Sequence, residues 1–267
     1  ACLSRTHYSF ANAFTMTGDT AYLDVWRNIL DIVNENSKAV DGQTQYPRGY
    51  GDDGWYEYQP TPFSTGAFET YYWSQDPADR ERAGENEWQD FLDGKSPEYA
   101  VNALHADLDR LRNTMDMLAS DLSTPDTRMS DDMNRINPAT TDALIRLMTG
   151  GIPTGRDGYP FHCRLRYFDP ANQRAGIPQG VAALVTGMDA DSVTVELINL
   201  NQVIFRTVVV QGGAYGEHQI QSVSSGNRQV KVDGQTFSVR LAPSAGASIQ
   251  VKMERYRNPP TLAFPWD

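Results

Sequence analysis

The chain lacks the features that would place it in a membrane, on nucleic acid or in a disulfide-rich class. Its 267 residues include only two cysteines, Cys2 and Cys163, which form at most one disulfide and hold no zinc without other ligands. No apolar run approaches the ~20 residues of a membrane helix. Positive charge is scarce, because 23 Lys and Arg stand against 34 Asp and Glu. The net charge of -11 gives no general attraction to phosphate backbones or to anionic lipid. We therefore expect a globular chain with no membrane span and no nucleic-acid partner.

Two common signatures of enzymes are also missing. The glycine-rich stretch Gly212–Gly216 lies between predicted strands rather than between a strand and a helix, which disfavours a phosphate-binding loop. No Gly-x-Ser-x-Gly sequence supports the nucleophile elbow of a serine hydrolase. No sequence motif therefore supports nucleotide binding or serine-based hydrolysis.

The chain changes character at the cluster of chain-breaking residues between Gly150 and Gly155. Residues 1–150 hold 25 acidic and 12 basic residues and show helical spacing, whereas residues 151–267 hold 9 and 11 and alternate like strands. We expect an α+β fold: a helical domain over 1–150, made of hairpins as in a partial α/α toroid, and an antiparallel β-sandwich over 151–267.

Apolar residues spaced by three and four predict the helices of the first domain. The predicted helices cover residues 7–16, 22–33, 63–75, 78–92, 98–123 and 138–148. The fifth carries the clearest stripe, formed by Leu104, Leu108, Leu111, Met115, Leu118 and Leu122. We expect this stripe to pack on its own domain, with a coiled-coil seam as the alternative.

Period-two alternation organises residues 151–267. The predicted inward faces are Val193-Val195-Leu197, Phe237-Val239-Leu241 and Ala247-Ile249-Val251-Met253. Turn signals recur at short intervals between them, which favours seven or eight antiparallel strands.

Chemistry is expected first in the loop-like segment Tyr46–Pro60. Residues 46–73 hold ten of the 28 aromatic residues of the chain. Aromatic faces pack against the C–H faces of sugar rings, while their polar edges and nearby carboxylates bind sugar hydroxyls. The predicted substrate-binding residues of the segment are Tyr50, Trp55, Tyr56 and Tyr58.

Asp52, Asp53 and Glu57 are the acid–base candidates, because glycoside hydrolysis needs one protonated and one ionised carboxyl beside the bond. Two other interpretations stay open. Asp52-Asp53-Gly54 can be an ordinary turn with the aromatics as core contacts, or the two aspartates can bind calcium.

A second candidate cluster lies at the start of the chain. His7 and Tyr8 can serve as base and acid, and Arg5 or Asn12 can hold a carboxylate, which is the set that β-elimination on a uronate requires. The alternative is a helix start with ordinary polar residues.

Two stretches carry a family resemblance. Thr17-Gly18-Asp19-Thr20-Ala21-Tyr22-Leu23-Asp24 resembles the hairpin turn that recurs in α/α-toroid carbohydrate enzymes. Val193–Asn201, followed by Thr207–Gly213, is similar to the β-sandwich modules that close such enzymes. The resemblance is to polysaccharide lyases and glycoside hydrolases with both parts. It implies a polysaccharide or oligosaccharide substrate and a periplasmic or secreted location.

A complete toroid needs roughly twice as many helices as residues 1–150 supply. The chain also begins with Ala rather than Met and shows no leader. The resemblance therefore implies the C-terminal portion of a longer enzyme, with an N-terminal portion of the same enzyme as its partner.

The leading hypothesis is a carbohydrate-active enzyme that hydrolyses glycosidic bonds with Asp52, Asp53 or Glu57. The first alternative is a lyase that uses His7 and Tyr8. The second is a non-catalytic glycan-binding or surface-assembly protein in which the sandwich carries the function, and it gains support if the aromatics are buried and no cleft gathers the carboxylates. None of these requires a cofactor, apart from the calcium that the two aspartates allow.

Overall fold

The computed structural model describes residues 7–124, 137–153 and 159–267, which form helices first and antiparallel sheets afterwards. The helices are α1 His7–Thr17, α2 Ala21–Glu35, α3 Ala67–Ser74, α4 Pro77–Ala83, α5 Glu87–Leu92, α6 Tyr99–Ser120 and α7 Asp142–Thr149. The strands are β1 Lys38–Val40, β2 Gln43–Gln45, β3 Gly49–Gly51, β4 Gly54–Tyr56, β5 Leu165–Asp169, β6 Arg174–Ala175, β7 Val181–Met188, β8 Ser192–Asn199, β9 Arg206–Gly212, β10 Gln219–Ser225, β11 Arg228–Gly234, β12 Thr236–Leu241 and β13 Gly246–Glu254. This order confirms the α+β class.

The chain divides into two compact units. The first comprises the described part of Ala1–Asn86 together with Arg255–Thr261, and the second comprises Glu87–Glu254 and Leu262–Asp267. The composition change near residue 150 therefore lies inside the second unit. Helices α5 and α7 belong there because both contact strand β7.

Helices α1 and α2 form a hairpin at the predicted turn. Gly18 adopts a positive φ of 71° and its N–H donates to the Phe14 carbonyl at 2.7 Å, a backbone conformation that glycine adopts without strain. Helix α2 buries Leu23, Trp26, Leu30 and Val33 along one face, as its spacing predicts. The later helices are shorter than predicted: α3 begins only after Gly66, and the helix predicted over 78–92 is split into α4 and α5 at Gly84, whose φ is 70°.

The second unit contains two antiparallel sheets. One has the strand order β11-β10-β13-β8-β7 and the other β12-β9-β5-β6, so the residues after 159 form nine strands, one or two more than predicted. The alternation of β8 is confirmed, because Val193, Val195 and Leu197 are at most 1% exposed. Together the sheets give a sandwich-like arrangement in which alternate side chains form the core.

The leucine stripe of α6 does not pack on its own domain within the described residues, so that expectation is wrong for this part of the chain. No residue of α6 is buried, and the stripe residues Leu104, Leu108, Leu111 and Met115 are 38–50% exposed. The helix meets its neighbours through other positions: Tyr99 lies 5.8 Å from the Phe91 ring, and Asp107 accepts a hydrogen bond from the Ala143 N–H. The stripe therefore faces away from the described core.

Candidate functional site

The segment predicted as a loop contains the β3–β4 hairpin. Its strands pair Gly49 with Tyr56, Tyr50 with Trp55 and Gly51 with Gly54, which leaves Asp52 and Asp53 as a two-residue turn. Both aspartates are exposed. Two-residue turns with glycine beside them suit a tight hairpin, so the turn interpretation describes the local backbone.

Cross-strand packing places the aromatic side chains of the hairpin. Trp55 packs against the buried cluster that contains Trp26 and Phe63, and the Tyr50 ring stands edge-on to it at 5.0 Å between centroids. Tyr50 is 52% exposed, so its ring is available to a ligand. An exposed tyrosine ring beside a half-buried tryptophan offers a ligand both apolar area and a polar hydroxyl edge.

The opposite face of the hairpin is occupied by Tyr56. A Cβ on Gly49 would lie 2.4 Å from the Tyr56 ring, so only glycine permits the ring to lie across the strand. Tyr56 remains 40% exposed. Tyr58 is half-buried, and the Lys38 ammonium lies 3.7 Å from its ring centroid. Tyr50 and Tyr56 are thus the more exposed of the four predicted sugar-binding aromatics.

The acidic candidates lie in the open. Glu57 is exposed and has a positive φ of 56°, and neither it nor the two aspartates line the cavity beside Phe63 that is described below. In the described ranges no three His, Cys, Asp or Glu side chains form a group that could hold a metal ion. Calcium binding by Asp52 and Asp53 stays a prediction.

The predicted elimination residues lie in an aromatic cluster of the first unit. His7 and Tyr8 are 3% and 5% exposed, and the His7 ring lies 5.1 Å from the Trp26 ring and 6.3 Å from the Trp73 ring. Asn12 is half-buried, and Arg5 lies outside the described residues. A base must come within hydrogen-bond reach of its proton, so elimination at His7 requires these rings to separate.

A cavity of about 540 Å³ opens between α2, α4 and the chain around Phe63. Its lining mixes apolar and polar residues: Leu30, Asp31, Asn34, Tyr46, Thr61, Pro62, Phe63, Ser64, Ala67, Glu81, Arg82, Ala83 and Gly84. Small-molecule sites have volumes of ~300–1,000 Å³ and combine apolar walls with a few polar groups. The cavity therefore has the size and lining of a site for a sugar or another small ligand.

Backbone hydrogen bonds at the base of the hairpin connect it to the wall of the cavity. Tyr46, which lines the cavity, exchanges two backbone hydrogen bonds with Gln59 at 2.7 and 2.9 Å. Arg48 follows, and its guanidinium donates to the Thr61 carbonyl at 2.6 Å and to the Thr61 hydroxyl at 2.8 Å. The aromatic hairpin thus emerges directly from the cavity wall.

One wall is fixed by an amide. Asn34 donates to the Phe63 carbonyl at 3.0 Å and accepts from the Phe63 N–H at 2.7 Å. This two-way pairing replaces a backbone partner and holds the loop before α3 against α2. The Phe63 side chain is 5% exposed, so the same contact ties the cavity to the core.

The other wall is fixed by an ion-pair network centred on Asp79, which is 1% exposed. Arg27 Nε donates to both carboxylate oxygens of Asp79 at 3.0 Å, and Arg82 donates to it at 3.2 Å. Ser74 adds a hydroxyl hydrogen bond at 2.6 Å. Arg82 also donates to both oxygens of Asp31, at 3.3 and 3.1 Å. The network thereby positions the two charged groups, Asp31 and Arg82, that face the cavity.

Opposing effects act on the ionisation of Asp79. Burial raises the pKa of Asp79. Hydrogen bonds from Arg27 and Ser74, together with the charges of Arg27 and Arg82, lower the pKa by more than burial raises it. The net effect holds the pKa below the usual value. The hydrogen bond to Asp79 likewise raises the pKa of Arg27, against the effect of burial. Both groups are therefore charged at neutral pH.

Sequence reasoning missed the polar residues of the cavity. Asp31 and Asn34 lie on the flank of amphipathic α2, and Glu81 and Arg82 lie on a seven-residue helix whose sequence contains no aromatic residue. No motif marks them. The only available signal was their spacing beside the buried face of α2, which places Asp31 and Asn34 one turn apart.

A second buried polar cluster lies in the second unit. Glu217 is 2% exposed and accepts hydrogen bonds from the Ala214 N–H at 3.2 Å and the Tyr215 N–H at 2.7 Å. Burial raises its pKa to about 7, although these backbone donors and the charge of Arg164 oppose the rise. Burial, and then the charge of Glu217, also raise the pKa of the Cys163 thiol. Glu217, Cys163 and Arg164 are each at most 2% exposed, so we assign the cluster to the core.

Comparison of the chain with models of known protein families, with curated proteins and with solved structures gives no match. The resemblance to carbohydrate enzymes and the location it implies stay predictions. No helix of the described residues has the length and apolar character needed to traverse a bilayer.

Proposed function

We propose that the first unit binds an oligosaccharide in the cavity beside Phe63 and on the adjoining hairpin. The observation that carries the proposal is the joining of the two by backbone hydrogen bonds: a cavity of about 540 Å³ and a hairpin with the exposed rings of Tyr50 and Tyr56. In this proposal one sugar unit of the oligosaccharide occupies the cavity, and adjacent sugar units contact the tyrosine rings of the hairpin. Of the three sequence-based hypotheses, the proposal agrees best with glycan binding, because it requires no catalytic residue. It differs from that hypothesis in placing the ligand on the first unit rather than on the sandwich.

Polar groups of the cavity match sugar hydroxyls. The carboxylates of Asp31 and Glu81 accept hydrogen bonds, the Arg82 guanidinium donates them, and the Thr61 and Ser64 hydroxyls do both. Asp31 and Arg82 are already held by each other at 3.1 Å, so ligand binding requires little ordering of these long side chains. Leu30 and Phe63 line the apolar side of the cavity but are only 2% and 5% exposed, so they contribute little contact area to a bound ring.

The test is calorimetric titration of the 267-residue chain with oligosaccharides of neutral hexoses, amino sugars and uronates. For the best ligand, Glu81→Gln and Tyr56→Ala are each expected to weaken binding about tenfold, or ~1.4 kcal/mol. Their matched controls are Glu85→Gln and Tyr22→Ala, exposed residues of the same unit outside the site. Equal effects of site and control variants, or no binding by any oligosaccharide, would contradict the proposal.

Hydrolysis in the same cavity is the second candidate function. It is favoured by one observation, that two carboxylates, Asp31 and Glu81, line a single cavity, as an acid and a base or nucleophile must. In this second candidate Asp31, which is held by Arg82, is the base or nucleophile, and Glu81 is the acid. The exposed set Asp52, Asp53 and Glu57 is the alternative for a substrate that crosses the hairpin tip.

Product analysis separates these possibilities. Hydrolysis releases new reducing ends, and Asp31→Asn or Glu81→Gln is then expected to abolish turnover, whereas Asp53→Asn leaves it unchanged. The opposite pattern would move the chemistry to the hairpin tip. Elimination instead yields an unsaturated product that absorbs in the near ultraviolet, and its loss in His7→Ala would support the lyase hypothesis. If oligosaccharides bind but no product forms, glycan binding is the only one of these functions that the result supports.

A further inference from the structure

The connection between β8 and β9 carries an exposed apolar tip, here called the apolar tip and defined as residues 199–205. Its four apolar side chains, Leu200, Val203, Ile204 and Phe205, are 62%, 79%, 49% and 52% exposed. Single exposed apolar residues are normal on protein surfaces. Four within six positions form a contiguous patch of the kind that marks an interaction site.

The apolar tip is rigid, because two asparagines hold its backbone. Asn199 is fully buried and donates to the Ile204 carbonyl at 2.8 Å and to the Ala242 carbonyl at 3.1 Å. Asn201 accepts hydrogen bonds from the Val203 and Ile204 N–H groups at 2.9 and 2.8 Å. Binding through a preformed loop loses little conformational entropy, so its exposed side chains are presented in fixed positions.

Charge around the apolar tip differs from that of the whole chain. Residues 197–207 and 240–247 contain Arg206 and Arg240 and no Asp or Glu, although the chain as a whole carries -11. The two segments lie together, because the Ser244 N–H donates to the Asn201 carbonyl at 2.9 Å. The Arg240 guanidinium lies 4.5 Å from the Phe205 ring centroid. The Arg240 cation therefore lies beside one of the apolar side chains, and Arg206 directly follows Phe205 in the sequence.

We propose that the apolar tip inserts into the interface of an anionic lipid bilayer, with the exposed Arg240 at the level of the headgroups. Apolar groups of peripheral proteins enter the headgroup and acyl boundary by ~5–10 Å, and nearby arginines bind anionic headgroups. The acidic remainder of the chain opposes this weakly, since salt screens charges beyond ~10 Å. This inference is independent of the sugar site.

A bilayer fits the apolar tip better than a protein partner does. A protein interface of ordinary size buries about 800 Å² on each partner, more than four side chains of one loop supply. A bilayer receives a convex apolar loop without a complementary pocket. The position of the Arg240 cation beside the Phe205 ring also matches the adjacency of headgroups and acyl chains in a leaflet.

The test measures co-sedimentation of the 267-residue chain with phosphatidylcholine vesicles, with and without about one third phosphatidylglycerol. We expect binding to the anionic vesicles and a drop of at least about tenfold for the double variant Leu200→Ser with Val203→Ser. The matched control is Val230→Ser. Val230 is 59% exposed and pairs with Val223 in the five-stranded sheet that contains β8, toward the end of that sheet opposite the apolar tip. Circular dichroism melts establish that each variant is folded.

A second pair of variants tests the charge. Arg240→Gln is expected to weaken binding to anionic vesicles several-fold, whereas Lys252→Gln, which removes a cation beside Asp191, leaves it unchanged. No vesicle binding, equal binding to vesicles without phosphatidylglycerol, or equal loss in loop and control variants would overturn the proposal. Self-association that the loop variant abolishes, measured by analytical ultracentrifugation, would also overturn it and assign the apolar tip to a second copy of the chain.

Discussion

Removal of the Asp79 charge is expected to destabilise the first unit strongly. Asp79 is 1% exposed and accepts hydrogen bonds from Arg27, Arg82 and Ser74. Asp79→Asn keeps the volume of the side chain but leaves the Arg27 guanidinium, whose side chain is only 18% exposed, without its buried counter-charge. Breaking one partner of a buried ion pair costs about 3–5 kcal/mol, a large share of the ~5–15 kcal/mol that stabilises a domain.

The matched control is Asp24→Asn. Asp24 pairs with the same arginine at 2.6 Å, but its side chain is 55% exposed. Exposed ion pairs contribute at most about 1 kcal/mol, so this variant is expected to lose less than that. Urea unfolding followed by tryptophan fluorescence measures both free energies, with separate transitions fitted if the two units unfold independently. A loss below 1 kcal/mol for Asp79→Asn, equal to that of Asp24→Asn, would refute the reasoning.

Three further predictions concern stability. Gly66→Ala is expected to cost ~3 kcal/mol or more, because its Cβ would meet Trp26 and His7 at 2.6–2.7 Å, whereas Gly42→Ala, also at positive φ but in open space, costs ~1 kcal/mol; equal losses in thermal melts would contradict this. The folded-state pKa of Glu217 is raised from 4.5 to about 7, so wild type is expected to lose ~3 kcal/mol of stability as the pH rises between these values. Parallel pH profiles for wild type and Glu217→Gln would count against this linkage. Leu108→Ala, 47% exposed, is expected to cost under ~1 kcal/mol and Leu197→Ala, 1% exposed, ~2–5 kcal/mol in urea; a loss above 2 kcal/mol at Leu108 would mean that the α6 stripe is packed.

Elements that follow from local pattern were predictable from the sequence. The spacing around Trp26 predicts α2, and the alternation around Val195 predicts β8, because burial of one face governs both elements. The α6 stripe shows the limit of the same argument: Leu108 and its neighbours have the spacing of a buried face, yet the described part of the chain leaves them exposed. Periodicity indicates which residues share a face but not whether a partner covers it.

The candidate site was predictable only in part, for a similar reason. The aromatic density around Trp55 is a local property, and it marked the hairpin segment that adjoins the cavity. The cavity is made by residues far apart in sequence, since Asn34 meets Phe63 and Arg82 meets Asp31 only after the unit has folded. Such long-range polar pairs leave no spacing in the sequence from which they can be inferred.

Binding of an oligosaccharide in the cavity beside Phe63 is tested most directly by NMR chemical-shift mapping of the ¹⁵N-labelled chain with the oligosaccharide that binds best. We expect shifts for the backbone amides of Asn34, Thr61, Ser64 and Arg82, with smaller shifts at Tyr50 and Tyr56 and none in β8 or β13. Shifts confined to the two sheets of the second unit would contradict it and assign glycan binding to the sandwich-like domain instead.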